Sequence, residues 1–166
     1  STFSSYSAVG LSGGGSGGAF GGGVLTLGPG LVTITDSVIS GNETSPGVVS
    51  DESRGGGIAD TGGATVSIVR SEMIGNVARF GMINQGGAIH AASGNGKFNV
   101  VNVTFSNNLA GGISNQVTAR SPRGAVVLSD SHGGALNTEG GAAFNLRNVP
   151  IARHFAFRGA GVAVPP

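Results

Sequence analysis

Eight carboxylates and three histidines are the side chains of this sequence best suited to moving protons or holding a metal ion. They are Asp36, Glu43, Asp51, Glu52, Asp60, Glu72, Asp130 and Glu139, with His90, His132 and His154. Two carboxylates set close together beside a basic residue could divide general-acid and general-base roles on a glycosidic bond, or hold calcium for an eliminative cleavage. The one adjacent pair is Asp51-Glu52, with Arg54 after it, and its setting reads as a solvated turn rather than a metal site. The single lysine, Lys97, reads as part of a turn with Asn95-Gly96. With no cysteine, neither a thiolate site nor a disulfide framework is available.

Whether these residues meet depends on what positions them, and that is an internal repeat. A double glycine, a small residue and an aliphatic recur as Gly21-Gly22-Gly23-Val24, Gly55-Gly56-Gly57-Ile58, Gly86-Gly87-Ala88-Ile89 and Gly133-Gly134-Ala135-Leu136. Next in each copy comes an alternating pair: Val32 and Ile34, Val66 and Ile68, Phe98 and Val100, Phe144 and Leu146. Then an apolar residue stands three before an asparagine: Ile39 with Asn42, Met73 with Asn76, Phe105 with Asn108. The fourth copy has Ile151 and His154 there. The cores 21–42, 55–76, 86–108 and 133–154 are 22, 22, 23 and 22 residues long, while the segments between them are 12, 9 and 24. A fixed core with variable connections predicts a geometry that constrains the core and lets the connections bulge into solvent.

Apolar spacing at i, i+2 is the strand period, and glycine-bounded segments this short are not helices. One copy cannot bury its apolar face alone, but copies stacked at the ~4.8 Å strand spacing bury it continuously. The expected fold is all-β, a parallel β-solenoid in which like residues form interior columns. These are Val24/Ile58/Ile89/Leu136, Val32/Val66/Phe98/Phe144, Ile34/Ile68/Val100/Leu146 and Ile39/Met73/Phe105/Ile151. Asn42, Asn76 and Asn108, continued by His154, should form a structural ladder at one corner. Their amides would bond the turns above and below, and asparagine tolerates left-handed backbone. The glycines are expected where the chain needs positive φ or close backbone approach.

Stacking also tests the chemistry. Asp36 aligns with Arg70 and Asn102, Glu72 with Val38 and Thr104, and Asp60 with Thr26, Ala91 and Thr138, so no carboxylate column forms. His90 and His154 read as structural. Ser131-His132-Gly133 resembles the Gly-His-Gly segment of polygalacturonases but lacks its aspartate partners. No catalytic, cofactor-binding or metal-binding residue is assigned. An ice-binding face would need a repeated threonine array. Thr33 and Thr35 stack instead on Ser67/Val69, Asn99/Val101 and Asn145/Arg147.

The paired motifs resemble the repeats of the polymorphic outer-membrane proteins, bacterial surface proteins marked by GGA(I/L/V) and FxxN. Gly86-Gly87-Ala88-Ile89 and Gly133-Gly134-Ala135-Leu136 match the first motif, and Phe105-Ser106-Asn107-Asn108 the second. The copies at Ile39 and Met73 keep the asparagine without the phenylalanine, and the copy at Ile151 keeps neither. The resemblance implies a right-handed parallel β-helix at a cell surface, with adhesion as its role. It transfers no catalytic residue.

Composition sets the remaining bounds. The chain of 166 residues carries 33 glycines without a collagen period, 10% charged residues and a net charge of +1. It is therefore neither disordered by composition nor basic enough for nucleic acid, and no stretch approaches the ~18 apolar residues of a membrane span. One domain is expected over 1–166. Residues 1–20 would be a partial repeat or cap, 21–54, 55–85, 86–132 and 133–154 the repeats, and 155–166 a second partial repeat or cap. Ala125 to Leu128 could add a strand. Ser1 is not methionine, which suggests a mature or excised piece. Uncovered strand edges at the ends predict self-association. The expected function is a non-enzymatic, extracellular or cell-surface, structural or adhesive solenoid without cofactors. Its partners would be itself, as a homo-oligomer or filament, or neighbouring surface proteins and glycans. The alternative is a carbohydrate-binding or polysaccharide-cleaving β-helix with the 109–132 connection as a groove wall, tested at Asp130 and His132.

Overall fold

The computed structural model describes residues 1–10, 18–46, 52–92, 94–111, 119–120, 126–127, 130–154, 156 and 162–163. Those residues form strands and turns with no helix, so none is long and apolar enough to cross a membrane. The Gly-Ser run over 11–17, Asp51, and the tail positions 157–161 and 164–166 lie outside the described residues.

Successive passes of the chain return to the same four parallel sheets. A wide seven-stranded sheet holds Thr2–Ser4, Leu31–Thr35, Val38–Ser40, Thr65–Ile74, Lys97–Ser106, Ala143–Arg147 and Ile151–Ala152. A second sheet holds Ser7–Gly10, Glu43–Pro46, Val77–Ala78 and Leu109–Ala110. The third holds Ala19–Phe20, Glu52–Arg54, Ile83–Gln85 and Asp130–His132. The fourth holds Val24–Thr26, Ile58–Asp60, Ile89–Ala91, Leu136–Thr138 and Val162–Ala163. Among the described residues the one antiparallel pair is Ala119–Arg120 with Val126–Val127, inside the 109–132 connection.

Alternation explains the wide sheet, and one left-handed residue per pass explains its bend. In Thr65–Ile74 the inward residues are Val66 and Ile68, then Ser71 and Met73, so the phase slips between 68 and 71. Arg70, at φ 47°, makes the slip. Asp36, Asn102 and Asn148 do the same in the other passes, at φ 48°, 54° and 51°. The slip adds an inward column, Ser37/Ser71/Val103, that strict alternation does not anticipate. Ser37 N–H donates to Ser71 Oγ at 3.1 Å across it.

Each double glycine turns the chain from the third sheet into the fourth. Gly55, Gly86 and Gly133 sit at φ 64°, 62° and 60°. The glycine after each packs against neighbouring passes. A Cβ on Gly56 would collide with the Val77 backbone and the Gly87 carbonyl, and one on Gly87 with Leu109 and Gly134. Only glycine meets both demands.

The core columns lie in register across the parallel pairs. Val24, Ile58, Ile89 and Leu136 are successive partners, and Val162 follows Leu136. Val32, Val66, Phe98 and Phe144 align, as do Ile34, Ile68, Val100 and Leu146. Ile39, Met73, Phe105 and Ile151 complete the set. Phe98 stacks on Phe144 with ring centroids 4.8 Å apart. A fully buried phenylalanine such as Phe105 contributes about 2–3 kcal/mol from removal of apolar area from water.

Five sequence expectations need correction. The connections do not simply bulge: 43–54 and 77–85 supply the strands of the second and third sheets. Those strands are two to four residues long and mostly polar or of mixed character, so they carry no hydrophobic alternation to betray them. For the same reason Glu52–Arg54 is a strand with Ser53 buried, not a solvated turn. Lys97 opens the strand Lys97–Ser106. The ladder asparagines are not the left-handed residues; Gly41, Gly75, Asn107 and Arg153, one position earlier, take positive φ. Finally, Leu146 keeps its register but is 38% exposed, because its strand is covered on one side only by described residues.

Candidate functional site

Polar side chains gather at two corners, and they differ in kind. At the wide-sheet exit, Asn42, Asn76 and Asn108 are buried one above another. Asn76 Oδ1 accepts from Asn42 N–H at 3.2 Å and from Asn42 Nδ2 at 3.0 Å. Asn76 Nδ2 donates to the Ile39 carbonyl at 2.9 Å and to Asn108 Oδ1 at 3.0 Å. Asn108 repeats the pattern, accepting from Asn76 N–H and donating to the Met73 carbonyl, each at 2.9 Å. His154 imitates an asparagine. Its Nδ1 accepts from Asn108 N–H at 3.2 Å and its Nε2 lies 3.2 Å from the Phe105 carbonyl. That pairing fixes the neutral Nε2–H tautomer, and burial lowers the pKa. At the upper end Tyr6 N–H donates to Asn42 Oδ1, so the chain near Tyr6 already follows the repeat.

The second corner lies on the outer side of the double-glycine turn. Arg54, Gln85 and His132 are successive partners at the end of the third sheet, each just before a glycine. Ala59, His90 and Asn137 are successive partners in the fourth sheet. Because Ile89 and Leu136 point to the core, alternation sends His90 and Asn137 outward. Gln85 and His90, either side of Gly86-Gly87-Ala88, converge on one carboxylate, Glu139. Gln85 Nε2 donates to Glu139 Oε1. Arg54 Nη1 is 3.2 Å and His90 Nε2 is 4.0 Å from Glu139 Oε2. Arg54 also pairs with Glu52 at 2.8 Å and lies over the Phe20 ring, 5.8 Å from its centroid.

His90 is 0% exposed although it faces away from the core, and Gln85 is 4% exposed. Asn137 Nδ2 donates to His90 Nδ1 at 3.1 Å, leaving the proton on Nε2, directed at Glu139. Burial first, and the Arg54 charge second, push the His90 pKa down to about 3. Three polar atoms of this group, Arg54 Nε, Gln85 Oε1 and His90 Nε2, find no hydrogen-bond partner among the described residues. The corner thus combines two unused donors and one unused acceptor around a carboxylate that is itself 30% exposed.

Three further carboxylates are occupied locally. Asp36 pairs with Arg70 through bonds of 2.7 and 2.6 Å, and Glu43 with Arg79 through 2.8 and 2.7 Å, each joining adjacent passes. Asp60 is buried, with Oδ1 taking Thr26 Oγ1 at 2.7 Å and the N–H groups of Gly62, Gly63 and Ala64 at 3.1 Å. It stacks between Thr26 and Ala91, with Thr138 beyond. Among the described residues no group of three His, Cys, Asp or Glu side chains is placed to hold a metal ion. On the outer face of the wide sheet, Thr33 and Thr35 stack on Ser67 and Val69, then Asn99 and Val101, then Asn145 and Arg147. That face is mixed, not a threonine array.

In the sequence His90 reads as structural, His132 reads as the test, with Asp130, of a carbohydrate-cleaving alternative, and Glu139 carries no role. The signal was available: the residue before each double glycine and the residue after each core aliphatic form two outward columns. Extending the column alignment to them brings Arg54, Gln85 and His90 together. No protein-family model matches this chain, and no curated protein or solved structure matches it either.

Proposed function

We propose that the chain is a right-handed parallel β-helix of about four core repeats, working without catalysis as a structural or adhesive element at an extracellular or cell surface. The observation that carries this reading is the register. Like residues partner like residues from the first pass to the last, and Asp36, Glu43 and Asp60 are spent tying one pass to the next. The resemblance to surface-protein repeats supplies the handedness and the location.

The same reading includes self-association with a second copy. Leu31–Thr35 and Val24–Thr26 are each paired on one side only among the described residues, and Leu25, Leu27 and Leu31 are exposed beside them. Such an edge is a template for further strands. Charge favours head-to-tail contact: residues 21–54 carry four acids against Arg54, whereas 133–154 carry Arg147 and Arg153 against Glu139. Light scattering after size exclusion tests this. Association that Leu27→Lys with Leu31→Lys abolishes supports it; a monomer at every concentration contradicts it.

A further inference from the structure

We propose that the outer corner formed by Arg54, Gln85, His90 and Glu139 is a binding site for a neutral, hydroxyl-rich ligand, a glycan by chemical class. The proposal supplies a partner for the adhesive half of the reading above and is independent of self-association.

The unused hydrogen-bonding groups of this corner point to a guest. A fully buried His90 Nε2–H, the Arg54 Nε–H and the Gln85 Oε1 acceptor lack partners among the described residues, and all three side chains converge on Glu139. Buried polar groups in folded proteins are almost always paired, so unpaired ones in a cluster ask for a guest. The guest must both accept from two donors and donate to an acceptor, which a hydroxyl does. Glu139 and Glu52 against the single charge of Arg54 leave the cluster net negative, which repels an anion, and a cation has no lone pair to accept from the two unused N–H donors. A neutral group is what the local charges leave.

Two further features separate a ligand from a lone trapped water. The Arg54 and Glu139 side chains are 16% and 30% exposed, so the cluster reaches solvent through the ion pair that closes it. Along the same two columns the next residues are Phe20, half-buried, and Leu25, exposed. An aromatic face beside a polar fork suits a sugar ring, which presents C–H groups on one side and hydroxyls at its edge.

The test is titration of the full chain with cellohexaose, chitohexaose, mannohexaose and maltohexaose, followed by calorimetry and amide NMR, with hexagalacturonate as the acidic control. Concentrations are held where size exclusion has defined the association state, so the result stands apart from that of the self-association experiment. The expected outcome is saturable binding of at least one neutral hexasaccharide that shifts the Gln85 and Asn137 side-chain amides. Gln85→Met and Arg54→Met should each weaken it at least tenfold in proteins that keep the parent circular dichroism spectrum and a cooperative unfolding transition, and Phe20→Ala should weaken it as well. Three results would overturn the proposal: no neutral probe binding (the corner then holding water alone), binding unaffected by Gln85→Met and Arg54→Met, or binding of the acidic probe alone.

Discussion

The asparagine corner and the Glu139 corner are built from the same device, a column of polar side chains repeated along parallel strands, yet they are satisfied to different degrees. In the first, Asn76 makes four side-chain hydrogen bonds and its neighbours repeat them. In the second, the column reads Arg54, Gln85, His132, the facing one reads Ala59, His90, Asn137, and three atoms are left over. An amide carries a donor and an acceptor on one planar head, so identical amides stack without remainder. Unlike side chains cannot do so. Where a repeat position keeps its residue the column is structural; where it varies, hydrogen-bonding capacity remains for something else.

Disrupting the satisfied corner should have the largest effect. Asn76→Leu keeps the number and branching of the side-chain heavy atoms but strands the Ile39 carbonyl and the Asn42 amide in a buried setting. It should cost about 3–5 kcal/mol in urea unfolding, at 1–3 kcal/mol per orphaned group. A cost under 1 kcal/mol would remove the distinction between the corners.

Acid should act on both corners through their histidines. The folded-state pKa values of His90 and His154 lie below the ordinary 6.5, so the unfolded chain binds protons first as pH falls. Their contribution is therefore whole above about 6.5 and declines below it, reaching its floor for His90 near pH 3. Each histidine adds a slope of up to ~1.4 kcal/mol per pH unit. Unfolding free energies measured between pH 7 and 4 should show that fall, and His90→Asn should remove its share. A flat profile in the parent protein would contradict the buried, neutral assignment.

His154→Asn sharpens the comparison by restoring the ladder residue. It should keep the Asn108 and Phe105 bonds, change stability by less than about 1 kcal/mol, and take away the His154 share of the acid slope. Loss of several kcal/mol would mean that the histidine ring is needed for its shape. Arg70→Ala should have the smallest effect, since the Asp36–Arg70 pair is solvent-exposed and screened. A measurable fall in melting temperature would show that the pair fixes the left-handed bend.

Much of this fold can be read from spacing, and the limit is set by where spacing carries information. Ile68 and Val100 could be matched because a buried face imposes period two and a fixed core length. Ser53 and Asn84 escaped because their strands, Glu52–Arg54 and Ile83–Gln85, are three residues long and too short to show a period. The Glu139 corner escaped for another reason. Glu139 lies beyond the strand that its partners come from, 54 residues from Gln85. Only the stacking of passes brings them into contact, and a residue-by-residue search for catalytic pairs looks past it.

Matched apolar replacements at the two corners separate a structural corner from a binding one most directly. Equilibrium urea unfolding of Gln85→Met, run beside Asn76→Leu, measures the difference. The prediction is that Gln85→Met costs about 1–2 kcal/mol, the worth of its one bond to Glu139, which Arg54 still holds, and so lies well below the loss from Asn76→Leu. Equal and large losses from the two replacements would show that both corners are structural, and the case for a ligand at the second would fall with that result.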